Sequence, residues 1–174
     1  MPNAPRQPLV YVETTVPSYL TAWPSRDLLR ASHQQITNEW WRDASGRYRL
    51  VISEAVVEEC ARGDPEAARS RLDAIRSIPV IARSPEAISL AAEYVRLLSL
   101  PPKALTDAMH VAYASVARVD YLATWNMRHL ASSLTMRRLT TFNVDRGLHV
   151  PLIVTPEYLN LLDRPDEPSE TERP

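Results

Sequence analysis

Leu9-Val10-Tyr11-Val12-Glu13-Thr14-Thr15 is the stretch that decides how this chain is organised. Four apolar residues with strong β preference run without the alternation of a half-exposed strand, and a glutamate and two threonines then break the run. A strand covered on both faces reads this way, and such strands belong to parallel sheets flanked by helices. Glu13 then stands at the carboxyl end of the strand, where open α/β sheets bind their ligands.

The segments that follow alternate in the same sense. Pro17 suits the first turn of a short helix, and Ser25 can cap a longer one over residues 26–44, with Leu29, Ile36, Trp40 and Trp41 inward and Gly46 at its end. Residues 48–52 read as a second strand, after which Ser53 offers an N-cap to a helix that turns Val56, Val57 and Cys60 inward and closes at Gly63. Asp64-Pro65 and Ser84-Pro85-Glu86 each open a helix, the second carrying Ile88, Ala91, Val95 and Leu98 at helical spacing before Pro101-Pro102 stops it. Ala104, Ala108 and Ala112 give a smooth face to a helix over 103–117 that can lie close against a sheet. A strand over 121–124, a helix within 134–148, a strand over 152–154 and the capped turn Thr155-Pro156-Glu157 complete the series. Alternation of this kind predicts an α/β fold, a central mostly parallel sheet with helices on both faces.

Composition narrows the function. At 174 residues the chain suits one domain, spanning 1–162, and the remaining 163–174 form an acidic, proline-bearing tail with too little apolar surface to order itself. Cys60 is the only cysteine, and the histidines at 33, 110, 129 and 149 lack zinc-ligand spacing, so neither an intramolecular disulfide nor a structural zinc site is expected. Gly46, Gly63 and Gly147 stand alone, which removes the phosphate-cradling and dinucleotide-binding loops. A net charge of -1 makes any nucleic-acid contact local. The amino-terminal residues show no basic region followed by an apolar one, and no apolar run reaches membrane-spanning length, so a cytoplasmic protein with no membrane contact is the expectation.

Three acids lie where such a sheet would gather them: Glu13 after the first strand, Glu58 in the helix after the second, and Asp107 near a helix start. Asn126, just past the strand over 121–124, adds an oxygen donor. Hard cations such as Mg²⁺ take carboxylates, carbonyls and water, often with substrate phosphate, and a cation so held serves phosphodiester hydrolysis without a covalent nucleophile. Each residue also has a plainer reading. Asp107 can be a first-turn helix acid, Asn126 a helix cap, Glu54 and Glu59 solvated helix faces, and His110 a hydrogen-bonded core histidine outside the chemistry.

The four segments VYVETT (10–15), SEAVVEE (53–59), TDAMHVAYA (106–114) and TWNMRHL (124–130) follow one another in an order that resembles the PIN-domain family, in its VapC-like toxin ribonuclease branch, over roughly residues 9 to 159. The resemblance implies a three-layer α/β/α PIN-like fold and a Mg²⁺- or Mn²⁺-dependent endoribonuclease, the toxin of a type II toxin-antitoxin pair. It implies Glu13, Glu58 and Asp107 as metal ligands, Asn126 as the late acidic or amide position, and Thr15, Thr124, Trp125 and Arg128 as supporting or RNA-contacting residues. The choice of Glu58 over Glu59 rests on the family register. Glu13 stands where aspartate is commoner, and Asn126 lacks the charge of the usual aspartate, so one metal ion in the free enzyme is the expectation. RNA as substrate, a small antitoxin inserting a segment into the groove, and a homodimer are the implied partners. A PIN-like binding module without turnover and a metal-dependent DNA nuclease or phosphatase are the alternatives.

Overall fold

The computed structural model describes residues 6–97, 105–126 and 133–162. Within them the chain runs β1 (Leu9–Val12), α1 (Thr15–Thr21), α2 (Leu28–Arg47), β2 (Arg49–Ser53), α3 (Glu54–Cys60), α4 (Pro65–Ile75) and β3 (Val80–Ile81). It continues through α5 (Pro85–Leu97), α6 (Leu105–Val116), β4 (Tyr121–Ala123), α7 (Ser133–Asp145), β5 (Leu152–Val154) and α8 (Pro156–Leu162).

All five strands pair in parallel, in the order β3-β2-β1-β4-β5. The apolar run that opens the chain is therefore the middle strand, and Val10, Tyr11 and Val12 have no exposed surface. Helices cover the sheet in a three-layer α/β/α arrangement, with α2 against α1 and α8 and α5 against α6. The strand order reverses at β1, whose neighbours are β2 on one side and β4 on the other. A crevice opens at the carboxyl ends of two such strands, because their following connections leave toward opposite sides. Glu13 and Thr124 flank that point, and the Glu13 N–H donates to the Ala123 carbonyl at 3.0 Å.

Local signals placed most elements. The Asp64 side chain accepts from the Glu66 and Ala67 N–H groups at the head of α4, with Pro65 beside it, and the Ser84 hydroxyl accepts from Ala87 N at 3.2 Å at the head of α5. Five details differ from the expectation. Helix α2 is capped by Asp27, whose carboxylate accepts from Arg30 N at 2.9 Å, and it passes through Gly46 to Arg47. Nothing lies within 4 Å of where a Gly46 side chain would begin, so that glycine meets no special demand, and the helix ends where Tyr48 turns extended to enter β2. The buried stripe of α2 is Gln34, Thr37, Trp40 and Ala44, while Leu29 is exposed and Ile36 and Trp41 are only partly covered. Helix α5 buries Ala87, Leu90, Ala91 and Tyr94, leaving Ile88 exposed. The edge strand β3 pairs two residues with β2 and is too short to carry a periodic signal.

Helix α6 is buried from Val111 to Ser115 without a break, Ala108 and Ala112 lie in the core, and the helix packs against α5 and β4. A helix apolar nearly all round is an interior helix, and this one carries Asp107 and His110 into the protein. Among the described residues no helix is long and apolar enough to cross a membrane. Leu98, Pro101, Pro102, Ala104, Arg128, His129 and the tail 163–174 lie outside the described residues.

Candidate metal centre

Glu13 is 4% exposed at the end of β1, an unusual place for a carboxylate unless several donors meet it. Three do, all at one oxygen. Oε2 accepts from the Thr124 hydroxyl at 2.7 Å, the Thr15 hydroxyl at 2.5 Å and the Thr15 N–H at 3.1 Å. Each hydroxyl is itself fixed by a backbone donor, Trp125 N to Thr15 Oγ1 at 2.8 Å and Asn126 N to Thr124 Oγ1 at 2.9 Å. The first turn of α1 and the loop after β4 thus clamp the carboxylate between them. Its other oxygen, Oε1, lies 4.0 Å from His110 Nε2 and takes no hydrogen bond among the described residues.

The second carboxylate comes from α3, and it is Glu59. Its Oε2 accepts from His110 Nε2 at 2.9 Å and from the Thr14 hydroxyl at 2.5 Å. Glu58 is exposed and lines a small separate pocket with Glu54, Arg83, Met109 and Tyr113, so the structure does not bring it to Glu13. The reason is helical phase. At about 100° per residue Glu58 points about 180° from the mean direction of the buried Val56 and Cys60, whereas Glu59 lies about 80° from it. The buried stripe of α3 is therefore the local signal that distinguishes Glu59 from Glu58.

Asp107 sits in the first turn of α6, where a negative charge meets the positive end of the helix. Its Oδ1 accepts from the Asn126 side-chain amide at 3.0 Å. A continuous chain of bonds, Asp107 to Asn126 to Thr124 to Glu13, connects the acid of α6 with that of β1. His110 follows one turn later, 1% exposed, and is the residue that the sequence reading left out of the chemistry. One ligand atom from each of Glu13, Glu59 and His110 lies within 4.8 Å of the others, a spacing that can hold a cation. Trp125 points away from this cleft. It is 8% exposed, stacks on His33 with ring centroids 4.0 Å apart, and donates its indole N–H to the Thr37 hydroxyl at 2.8 Å. That hydroxyl has no exposed surface, so Thr37→Val strands the indole N–H, and urea denaturation should show a loss of about 1–3 kcal/mol.

The charges in this cleft influence one another. Burial, the strongest influence on His110, disfavours the imidazolium, but the bond to Glu59 and the charges of Glu13, Glu59 and Asp107 outweigh it and raise the pKa above the ordinary value. Burial also disfavours the Glu59 carboxylate, yet its bonds to His110 and Thr14 and the charges of His110 and Arg62 hold its pKa below the ordinary value. A raised histidine contributes stability below its unfolded value, about 6.5, and loses it as pH rises through the higher folded value. A lowered glutamate contributes above its unfolded value, about 4.5, and loses it as pH falls through the lower folded one. Both contributions are complete together only between about pH 4.5 and 6.5. Thermal melts in chelator should therefore give a metal-free protein whose stability declines above this window, and His110→Gln should remove that alkaline decline.

Comparison with family models finds none that matches the chain, and no curated protein matches it either. Among solved structures, the fold is similar to a chain in the crystal structure of VapBC2 from Rickettsia felis bound to a DNA fragment from their promoter. The TM-score is 0.54 at 13% sequence identity, covering 84% of this chain and 98% of that one. An identity this low with near-complete coverage is a likeness of fold, the PIN-like α/β/α architecture with its parallel five-stranded sheet.

Proposed function

We propose that this protein is a divalent-metal-dependent endoribonuclease acting as the toxin of a type II toxin-antitoxin pair. The observation that carries the reading is the convergence of Glu13 and Glu59, with Asp107 linked to Glu13 through Asn126 and Thr124, at the reversal point of the strand order. Glu13 and Glu59 each have one oxygen held by protein donors and the other without a hydrogen bond among the described residues. Carboxylate oxygens presented in this way suit Mg²⁺ or Mn²⁺, which prefer oxygen ligands. A cation held by Glu13 and Glu59, with Asp107 tied to Glu13 through Asn126 and Thr124, would supply Lewis-acid stabilisation of charge on the phosphoryl oxygens and activation of water. The protein's part is to keep the acids in place beforehand: Thr15 and Thr124 fix Glu13, Thr14 and His110 fix Glu59, and Asn126 holds Asp107. No side chain here is asked to form a covalent intermediate.

The choice of RNA and of a toxin role rests on the four ordered motifs, and the VapBC2 likeness supports the same direction at the level of fold. A small antitoxin would find apolar surface at Trp23, Leu28 and Leu29, which are 86%, 88% and 66% exposed in one short stretch. Trp40 has no exposed surface and belongs to the core, whereas Trp41 beside it is only partly covered. The test is to incubate purified protein with RNA, single-stranded DNA and a small phosphoester in Mg²⁺, Mn²⁺ or chelator, with Asp107→Asn as the control for contaminating nuclease. Cleavage of RNA in metal and none in chelator is the expected result. Cleavage confined to DNA, or binding without turnover in either metal, overturns it.

A further inference from the structure

The Glu13, Glu59 and His110 grouping invites the view that all three side chains bind the metal. We infer instead that His110 is a positioning residue: a buried relay from Ser53 through Tyr11 keeps a hydrogen on its Nε2, directed at Glu59, so that the imidazole holds a ligand and is not one. The inference rests on the reading of Glu59 as a metal ligand and deepens it.

Counting protons gives the direction of the relay. The Tyr11 hydroxyl lies 2.6 Å from Ser53 Oγ and 2.8 Å from His110 Nδ1, and Tyr11, Ser53 and His110 are all at most 1% exposed. Ser53 opens α3 without capping it through its side chain, and among the described residues its hydroxyl has Tyr11 as its one hydrogen-bond partner. A buried hydroxyl proton with no acceptor is costly, so Ser53 donates to Tyr11. The single Tyr11 proton then goes to its other neighbour, Nδ1, which must accept. A neutral imidazole that accepts at Nδ1 carries its hydrogen at Nε2, and Nε2 is 2.9 Å from Glu59 Oε2.

Ligation through Nε2 would demand the reverse. Nδ1 would carry the hydrogen and donate to Tyr11, Tyr11 would donate to Ser53, and the Ser53 proton would be left inside the protein without an acceptor. A protonated ring also has hydrogen on Nε2. Neither the neutral ring that these contacts select nor the protonated ring presents a lone pair at Nε2 to the cleft. With Thr14, His110 occupies Oε2 of Glu59 and leaves Oε1 as the oxygen available to a cation.

Two-bond ¹H–¹⁵N spectra of the full-length, metal-free protein, at a pH where the ring is neutral, should show His110 as the Nε2–H tautomer. The Nδ1–H tautomer would overturn the relay. With Mn²⁺ alone as the probe, electron-spin-echo spectra should lack the modulation of a coordinated imidazole nitrogen, and its presence, or no Mn²⁺ binding at millimolar concentration, would overturn it too. Tyr11→Phe should weaken Mn²⁺ about 10-fold or more, the effect typical of removing a group that orients a ligand. His110→Gln, which can still donate to Glu59, should retain most of the affinity that His110→Leu loses. Equal losses in Gln and Leu variants would mark a ligand and sink the proposal. If Tyr11→Phe does not fold, the wild-type spectra decide alone. None of these readouts uses RNA: Mn²⁺ binding as described without cleavage would end the nuclease reading and leave the relay, whereas RNA cleavage with a coordinated His110 would do the opposite.

Discussion

Glu59→Gln is expected to lower metal-dependent RNA cleavage roughly 100-fold or more, while Glu58→Gln on the same turn leaves the rate within about twofold. Glutamine keeps the size of the side chain and can still accept from His110 and Thr14, so the change is close to pure removal of charge. The neutral amide is a poor ligand for a hard cation, and the loss falls on the group placed beside Glu13. Glu58 is exposed and points away from the cleft, so its substitution changes solvated surface. Single-turnover rates at saturating Mg²⁺, with the two variants side by side, make the measurement. Equal activity in the Glu59 variant and loss in the Glu58 variant would mean that α3 turns its other face to the substrate.

Asp107→Asn should cost between about 100- and 1000-fold in the same assay while leaving the melting temperature in chelator nearly unchanged. The substituted side chain can still accept from the Asn126 amide through its carbonyl oxygen, so the contact that ties α6 to the loop after β4 survives. The substitution removes the negative charge at the head of α6. Excess Mn²⁺ should recover part of the activity if the defect is weakened metal binding, and activity and Mn²⁺ affinity should fall together across a series that includes Glu59→Gln. An Asp107→Asn protein that cleaves as fast as wild type, in a preparation free of contaminating nuclease, would remove this residue from the chemistry.

Much of the architecture was legible in short windows. The uninterrupted apolar run 9–12 announces a strand buried on both faces, and it is the middle strand of the parallel sheet. Asp64-Pro65 and Ser84-Pro85 start helices because a side-chain oxygen and a fixed φ meet the needs of a first turn within three residues. Glu13 at a strand end follows from the same stretch. Such features depend on neighbours in sequence, and the chain alone determined them.

The tertiary structure decided what depends on residues far apart. Residue type does not show that Trp125 turns inward to Thr37 and His33, because its partners lie on α2, about ninety positions earlier. The two-residue strand β3 exists only as the partner of β2. Gly46 looked like a helix stop, yet the end of α2 is set by where the chain must enter the sheet. Glu59, His110, Tyr11 and Ser53 meet because β1 pairs with β2 in parallel while α3 and α6 pack together over one end of the sheet. A carboxylate or an imidazole has the same letter whether it faces water or another side chain. The sequence determined the acids, the strand ends and the alternation. Packing decided which oxygens face one another, because that choice is fixed by helix phase and strand register, to which a reading of local pattern is blind.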